Sequence, residues 1–203
     1  MKLLMENWRK YLEEGEGGFT VPYQLFIPRG CPDEKCDIAK LGNTPPVENR
    51  GVINKPNGGL WTSTAVNKGD KWTSAWNDWM VHEMPEWMHP QGILLKSKTN
   101  NIFHIENDED ARILHEEFPL EFSGPNLSLS FGGGSSDYNI DFESALQKYD
   151  AIHFGTTGGE DSDAYGFGRS GMWDMESTVF RDASVIDVIK VVPVTQKQRG
   201  DDF

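Results

Sequence analysis

Apolar positions recur along the chain with two periods, and these divide it into short elements. In residues 3–14, Leu4, Trp8, Tyr11 and Leu12 fall at i, i+4, i+7 and i+8, which predicts an amphipathic helix. The run GEGG at 15–18 then acts as a hinge. This organisation reads as a leading helix, 1–14, attached to one domain, 15–203; a helix packed on the body fits the pattern equally well. The β-rich run 19–27 predicts a first strand ending at Pro28-Arg29-Gly30. Residues 28–58 carry five prolines without periodicity and read as a long loop of the kind that often carries function. A strand is expected at 59–66, then a helix from about Thr73 to Met84. That helix carries a stripe of Trp72, Trp76 and Trp79 and is ended by Pro85. Runs 92–98 and 101–106 read as two strands around a tight Thr99-Asn100 turn. An Asn/Asp cap and the stripe Ala111, Leu114 and Phe118 predict a helix at 107–118. Residues 142–149 predict a short helix leading into a strand at 151–154. Glycine-rich 155–171 reads as a loop, and 172–180 and 185–194 as the last strands. The expected class is α+β, with split mixed or antiparallel sheets and peripheral helices.

Composition narrows what such a fold can do. The chain has 203 residues, 37 % of them hydrophobic and 11 % aromatic, with seven Trp, so it can bury a core without a disulfide framework. Its formal charge of −13, with basic residues scattered singly, argues against a duplex nucleic-acid partner, since such binding depends on cations displacing counterions. Small substrates or proteins with basic patches remain open as partners. No apolar run reaches about 18 residues and no secretory leader opens the sequence, so neither a membrane span nor export is expected. Cys31 and Cys36 are too few to close a zinc site. They read as reduced thiols, with a local disulfide as the alternative, in a reducing cytoplasm.

Several motif matches fail on chemistry. His82 and His89 are seven residues apart with Pro85 between them, so one helix face cannot present both to a zinc ion. Gly166-Phe-Gly168-Arg-Ser-Gly171 has dinucleotide-loop spacing, but a loop precedes it and no helix follows. Asn107–Asp110 lacks the glycine and distal glutamate of a calcium loop. The tryptophan stripe reads as core or a docking face.

Three polar segments remain. They are residues 25–30, with Arg29 at the end of the first strand; residues 55–64, where the entry Lys55-Pro-Asn-Gly58-Gly59-Leu60-Trp61 leads into Thr62-Ser63-Thr64; and residues 171–177, with Asp174 and Glu176. Read singly, each serves as loop bracing or plain strand. Read together they suit a nucleotide-sugar, with arginine on the diphosphate, hydroxyls for orientation, and a glutamate on the ribose of a loosening glycosidic bond. Strand alternation would set Asp174 and Glu176 on one face.

The order of these segments resembles the arginine-type branch of the ADP-ribosyltransferases, in which an Arg strand precedes a Ser-Thr-Ser-like strand and a strand bearing the catalytic Glu. The blocks GGLWTS, YDAI and WDMES are also similar to uncharacterised phage and bacterial proteins associated with that fold, over roughly residues 50–190. The resemblance implies NAD as substrate and transfer of ADP-ribose to a protein acceptor. Glu176 would be catalytic, Arg29 or Arg50 would contact the diphosphate and Ser63 would position it. Trp61, Thr62, Thr64, Asp174 and Tyr165 would line the cofactor. Here Asp174-x-Glu176 stands where the family often has a Glu/Gln-x-Glu pair. The leading helix looks like the capsid-targeting helices of tailed phages, which are cleaved after a hydrophobic-x-Glu sequence, and Leu12-Glu13-Glu14 matches. That likeness implies capsid association, in the host cytoplasm or inside the virion. The alternative is a non-catalytic internal virion protein that works by binding a partner.

Overall fold

The computed structural model describes residues 21–28, 38–50, 53–120, 139–155 and 175–195. The leading helix, Arg29, both cysteines, Tyr165 and Asp174 lie outside the described residues.

The chain enters at β1 (Gln24–Phe26), passes a 3-10 turn at Ile38–Asn43 and forms a ribbon of β2 (Glu48–Arg50) and β3 (Ile53–Asn57). Then come β4 (Leu60–Thr64) and a second ribbon of β5 (Val66–Asn67) and β6 (Trp72–Thr73). Helix α1 (Ala75–Glu83), β7 (Gln91–Ser97), β8 (Ile102–Ile105), α2 (Asp108–Glu117), α3 (Phe142–Lys148), β9 (Ala151–Phe154), β10 (Ser177–Phe180) and β11 (Ile186–Pro193) complete it. Seven strands form one mixed sheet in the order β11-β7-β1-β4-β10-β9-β8, antiparallel except for the β8–β9 pair. The class is α+β. Among the described residues, no helix is long and apolar enough to cross a membrane.

Each helix starts where a short polar side chain replaces a missing backbone acceptor. Ser74 Oγ accepts from Asn77 N at 3.1 Å, Asn107 Oδ1 from Glu109 N and Asp110 N at 2.9 and 3.1 Å, and Asp141 Oδ1 from Ser144 N at 3.0 Å. The three α-helices among the described residues pack on one face of the sheet. Leu114, Leu146, Phe142 and Phe154 join Ile152 and Val179 there, and Met80 of α1 meets Leu25 and Leu94. The opposite face has its own apolar patch, in which Leu60, Ile93, Leu95 and Phe180 are covered by Leu41 and by Val185 and Ile186.

Three expectations are corrected. The strands 91–97 and 102–105 do not pair: β7 lies between β1 and β11, while β8 runs to the far edge beside β9. The reason is a pair of contacts distant in sequence. Thr99 Oγ1 donates to Asp150 Oδ2 at 2.6 Å and Asp150 N donates to Asn101 O at 2.9 Å, which ties the connection to the start of β9. Residues 28–58 are not plain loop, because they contain the β2–β3 ribbon. That ribbon is anchored on α3 through Asn49, which donates from Nδ2 to Asp141 Oδ1 at 2.7 Å and accepts from Phe142 N at 2.8 Å. Trp72 is a strand residue of β6, so only Trp76 and Trp79 share the helix, stacked 4.9 Å apart.

The β3–β4 turn depends on glycine. Gly58 and Gly59 have φ of 66° and 67°, where side chains are strained, and a Cβ on Gly58 would overlap the Pro46 carbonyl. The same Gly58 carbonyl accepts the Trp61 indole N–H at 2.8 Å, so the turn also fixes that ring.

Candidate functional site

Of the three segments singled out in the sequence, Thr62-Ser63-Thr64 and the Met175-Glu176 part of the last are described, and they meet. β4 lies between β1 and β10, so the strand that leads to Arg29, the Thr62-Ser63-Thr64 strand and the strand that follows Glu176 are consecutive neighbours. Glu176 sits just before β10, opposite the end of β4, where the next ladder bond would form. Its carboxylate takes over that bond. Thr64 N donates to Oε1 and Oε2 at 3.1 and 3.0 Å, Thr64 Oγ1 donates to Oε1 at 2.9 Å, and Ser63 Oγ donates to Oε2 at 2.6 Å. Glu176 is only 7 % exposed, and burial raises its pKa against the opposing pull of these donors.

The strands β4 and β10 are hydrogen-bonded neighbours, so no cleft opens between them. Space lies over them instead. A cavity of about 490 Å³ is bounded by Lys55, Pro56 and Gly58 of the β3 turn, Trp61 and Thr62 of β4, Trp76 of α1, Leu25–Ile27, and Met175 and Ser177. Its size suits a nucleotide-scale ligand, and one cation with two indoles gives it polar definition. Lys55 Nζ stands 5.0 Å from the Trp61 ring centre and 5.8 Å from that of Trp76. Glu176 does not line this space, although both of its chain neighbours do. Thr62 turns its hydroxyl to Gln24 Oε1 at 2.7 Å.

Trp61, Thr62, Ser63, Thr64 and Glu176 are thus brought together, the first two on the cavity and the last three behind it. Arg50 belongs to β2, in the ribbon held on α3, and its side chain lies outside the described part, as do Arg29, Asp174 and Tyr165. Glu176 precedes the first residue of β10, and Asp174, expected on the same face, lies outside the described residues. Lys55 begins the second polar segment of the sequence but has no site role in that reading, and Trp76 enters it only as part of the tryptophan stripe.

On the opposite face of the sheet, the parallel β8–β9 pair sets His104 beside His153. Their ring centres are 5.2 Å apart. Glu106, two residues beyond His104, lies on the same side, and one ligand atom from each of the three falls within 4.8 Å of the others. Burial dominates their electrostatics. Desolvation brings His153 down to about 3, with His104 adding to the effect, and His104 to about 4 against the pull of Asp110. Desolvation, then the charges of Asp110 and Glu176, raises Glu106 to about 7. Glu176 Oε1 is 3.7 Å from His153 Nδ1, so the carboxylate behind the cavity also borders this cluster.

The chain matches no protein-family model, no curated protein and no solved structure.

Proposed function

We propose that the protein binds NAD in the cavity under Lys55 and transfers ADP-ribose from it, as an ADP-ribosyltransferase-like enzyme. The observation that carries this reading is the 2.6 Å bond between Ser63 and Glu176, joining the two motifs behind a cavity walled by Lys55, Trp61 and Trp76. In this reading an indole takes the face of a nucleobase or nicotinamide ring, and Lys55 takes the diphosphate as a point charge. The glycosidic C–N bond then breaks with its electron pair leaving on nicotinamide. Negative charge at Glu176, steadied by Ser63 and Thr64, favours the oxocarbenium-like centre, which an acceptor nucleophile captures while losing its proton. A protein acceptor, and association with a capsid through residues 1–14, belong to the same proposal.

A second reading, a binding protein without chemistry, is favoured by one observation: the Glu176 carboxylate is already held by Ser63 and Thr64 and does not line the cavity. Both readings put the ligand in the same place.

Titrating intrinsic fluorescence with NAD tests the shared part, because two tryptophans border the site. A saturable change is expected, weakened about tenfold in Lys55→Ala and more in Trp61→Ala. Absence of saturation up to millimolar NAD would remove NAD from the proposal. Equal affinity in both variants would move the ligand elsewhere.

A further inference from the structure

We propose that His104, Glu106 and His153 form a binding site for a divalent transition-metal ion of the zinc type, on the sheet face opposite the cavity. Two imidazoles and one carboxylate make a borderline nitrogen–oxygen donor set that suits zinc or cobalt better than the all-oxygen shells of magnesium or calcium.

The fold builds the site from three independent placements. Parallel register sets His104 directly against His153, so both imidazoles rise from neighbouring strands on one side. Glu106, the residue after β8, continues its two-residue period onto that side, and Asp110 Oδ2 accepts from Glu106 N at 2.9 Å, holding the backbone where the strand gives way to α2. Gly155 then provides room, since a Cβ at that position would overlap the Glu106 carboxylate.

Second contacts orient the ligands as metal sites require. His153 Nδ1 is 2.8 Å from Thr178 Oγ1, which assigns Nε2 of that ring to the ion. Glu106 Oε1 is buried without a hydrogen-bond partner among the described residues, so it offers a lone pair to a cation at no cost in existing bonds. Asp110 and Glu176 both act electrostatically on Glu106, and a divalent ion offsets that crowding of negative charge. Ligand atoms around tetrahedral zinc stand roughly 3.3 Å apart, so the cluster closes by a small side-chain rotation from its 4.8 Å spread. Three protein ligands leave a fourth position for water or a substrate oxygen.

Cobalt(II) added to the full chain, after treatment with a chelator, tests this by its visible absorption. The expected result is one ion per chain, with bands of a nitrogen–oxygen shell and displacement by zinc. Glu106→Gln and His104→Ala should each weaken binding by at least about tenfold. Should His104→Ala fail to fold, by circular dichroism, Glu106→Gln alone decides, since it preserves size. The proposal is overturned by a spectrum that never saturates, by affinity unchanged in Glu106→Gln, or by a thiolate charge-transfer band, which would place the ion on Cys31 and Cys36.

Discussion

Glu176→Ala should destabilise the protein by about 3–5 kcal/mol, whereas Glu176→Gln should cost only about 1 kcal/mol and still remove at least about 99 % of any ADP-ribose transfer. The stability difference follows from what the carboxylate holds. Alanine leaves the Ser63 hydroxyl, the Thr64 hydroxyl and the Thr64 backbone N–H facing a void at the end of the β4–β10 ladder. Glutamine fills the same space. Its carbonyl oxygen accepts from Thr64 N, and the Ser63 hydroxyl rotates to accept from the new amide. What glutamine cannot supply is negative charge. Urea denaturation measures the first effect and labelling of a target with NAD the second. A Gln variant as active as the wild type would leave Glu176 a ladder cap and nothing more. That outcome, with NAD affinity retained, would favour the binding-only reading.

The strands and helices were legible where local chemistry and periodicity agree. Asn107 before an apolar stripe and Pro85 after a helical run each mark a boundary that holds in three dimensions. Pairing was less legible, because it depends on residues distant in sequence. Thr99-Asn100 carries turn chemistry, but a hydrogen bond from Thr99 to Asp150 redirects the chain, and no short-range signal announces it. The runs IFHI and AIHF did hold a clue, since each mixes apolar residues on both faces around one histidine, as buried parallel neighbours do. Only register brings the two histidines together.

The site divides in the same way. Ser63 and Glu176 could be named from residue type and order, and they meet. The position of the cavity could not, because it depends on the β2–β3 ribbon folding up against α3 through Asn49. That ribbon runs through a proline-rich stretch whose pattern hides its strands. The cation over the indoles therefore came from the end of a stretch read as loop, and the carboxylate expected to be catalytic lies behind the cavity wall.

Acidification from about pH 6 to about pH 4 should lower stability by on the order of 3 kcal/mol in chelator-treated protein, and the same histidines are the cause. In the unfolded chain both imidazoles take up protons as pH falls through 6.5. Burial delays uptake in the folded chain to about 4 for His104 and about 3 for His153. Their stabilisation is complete above 6.5 and is lost as pH falls through that window. Glu106 works in the opposite sense. Its pKa rises from 4.5 to about 7, so its contribution is full below 4.5 and is lost as pH rises through 7, and burial shifts Glu176 in the same direction. Because Glu106 is partly open to solvent, its share is reduced by screening. Below about pH 6 the unfolded state binds two imidazole protons that the folded state refuses, and this outweighs the one proton that Glu106 retains in the folded state. The stability maximum should therefore fall between about pH 6 and about pH 7, with the acid limb the steeper. Urea unfolding at a series of pH values reads this directly. His104→Gln should flatten the acid limb, since glutamine takes up no proton in either state. Stability that stays level between neutral pH and about pH 4 would mean that the paired histidines are not held away from water as the sheet implies.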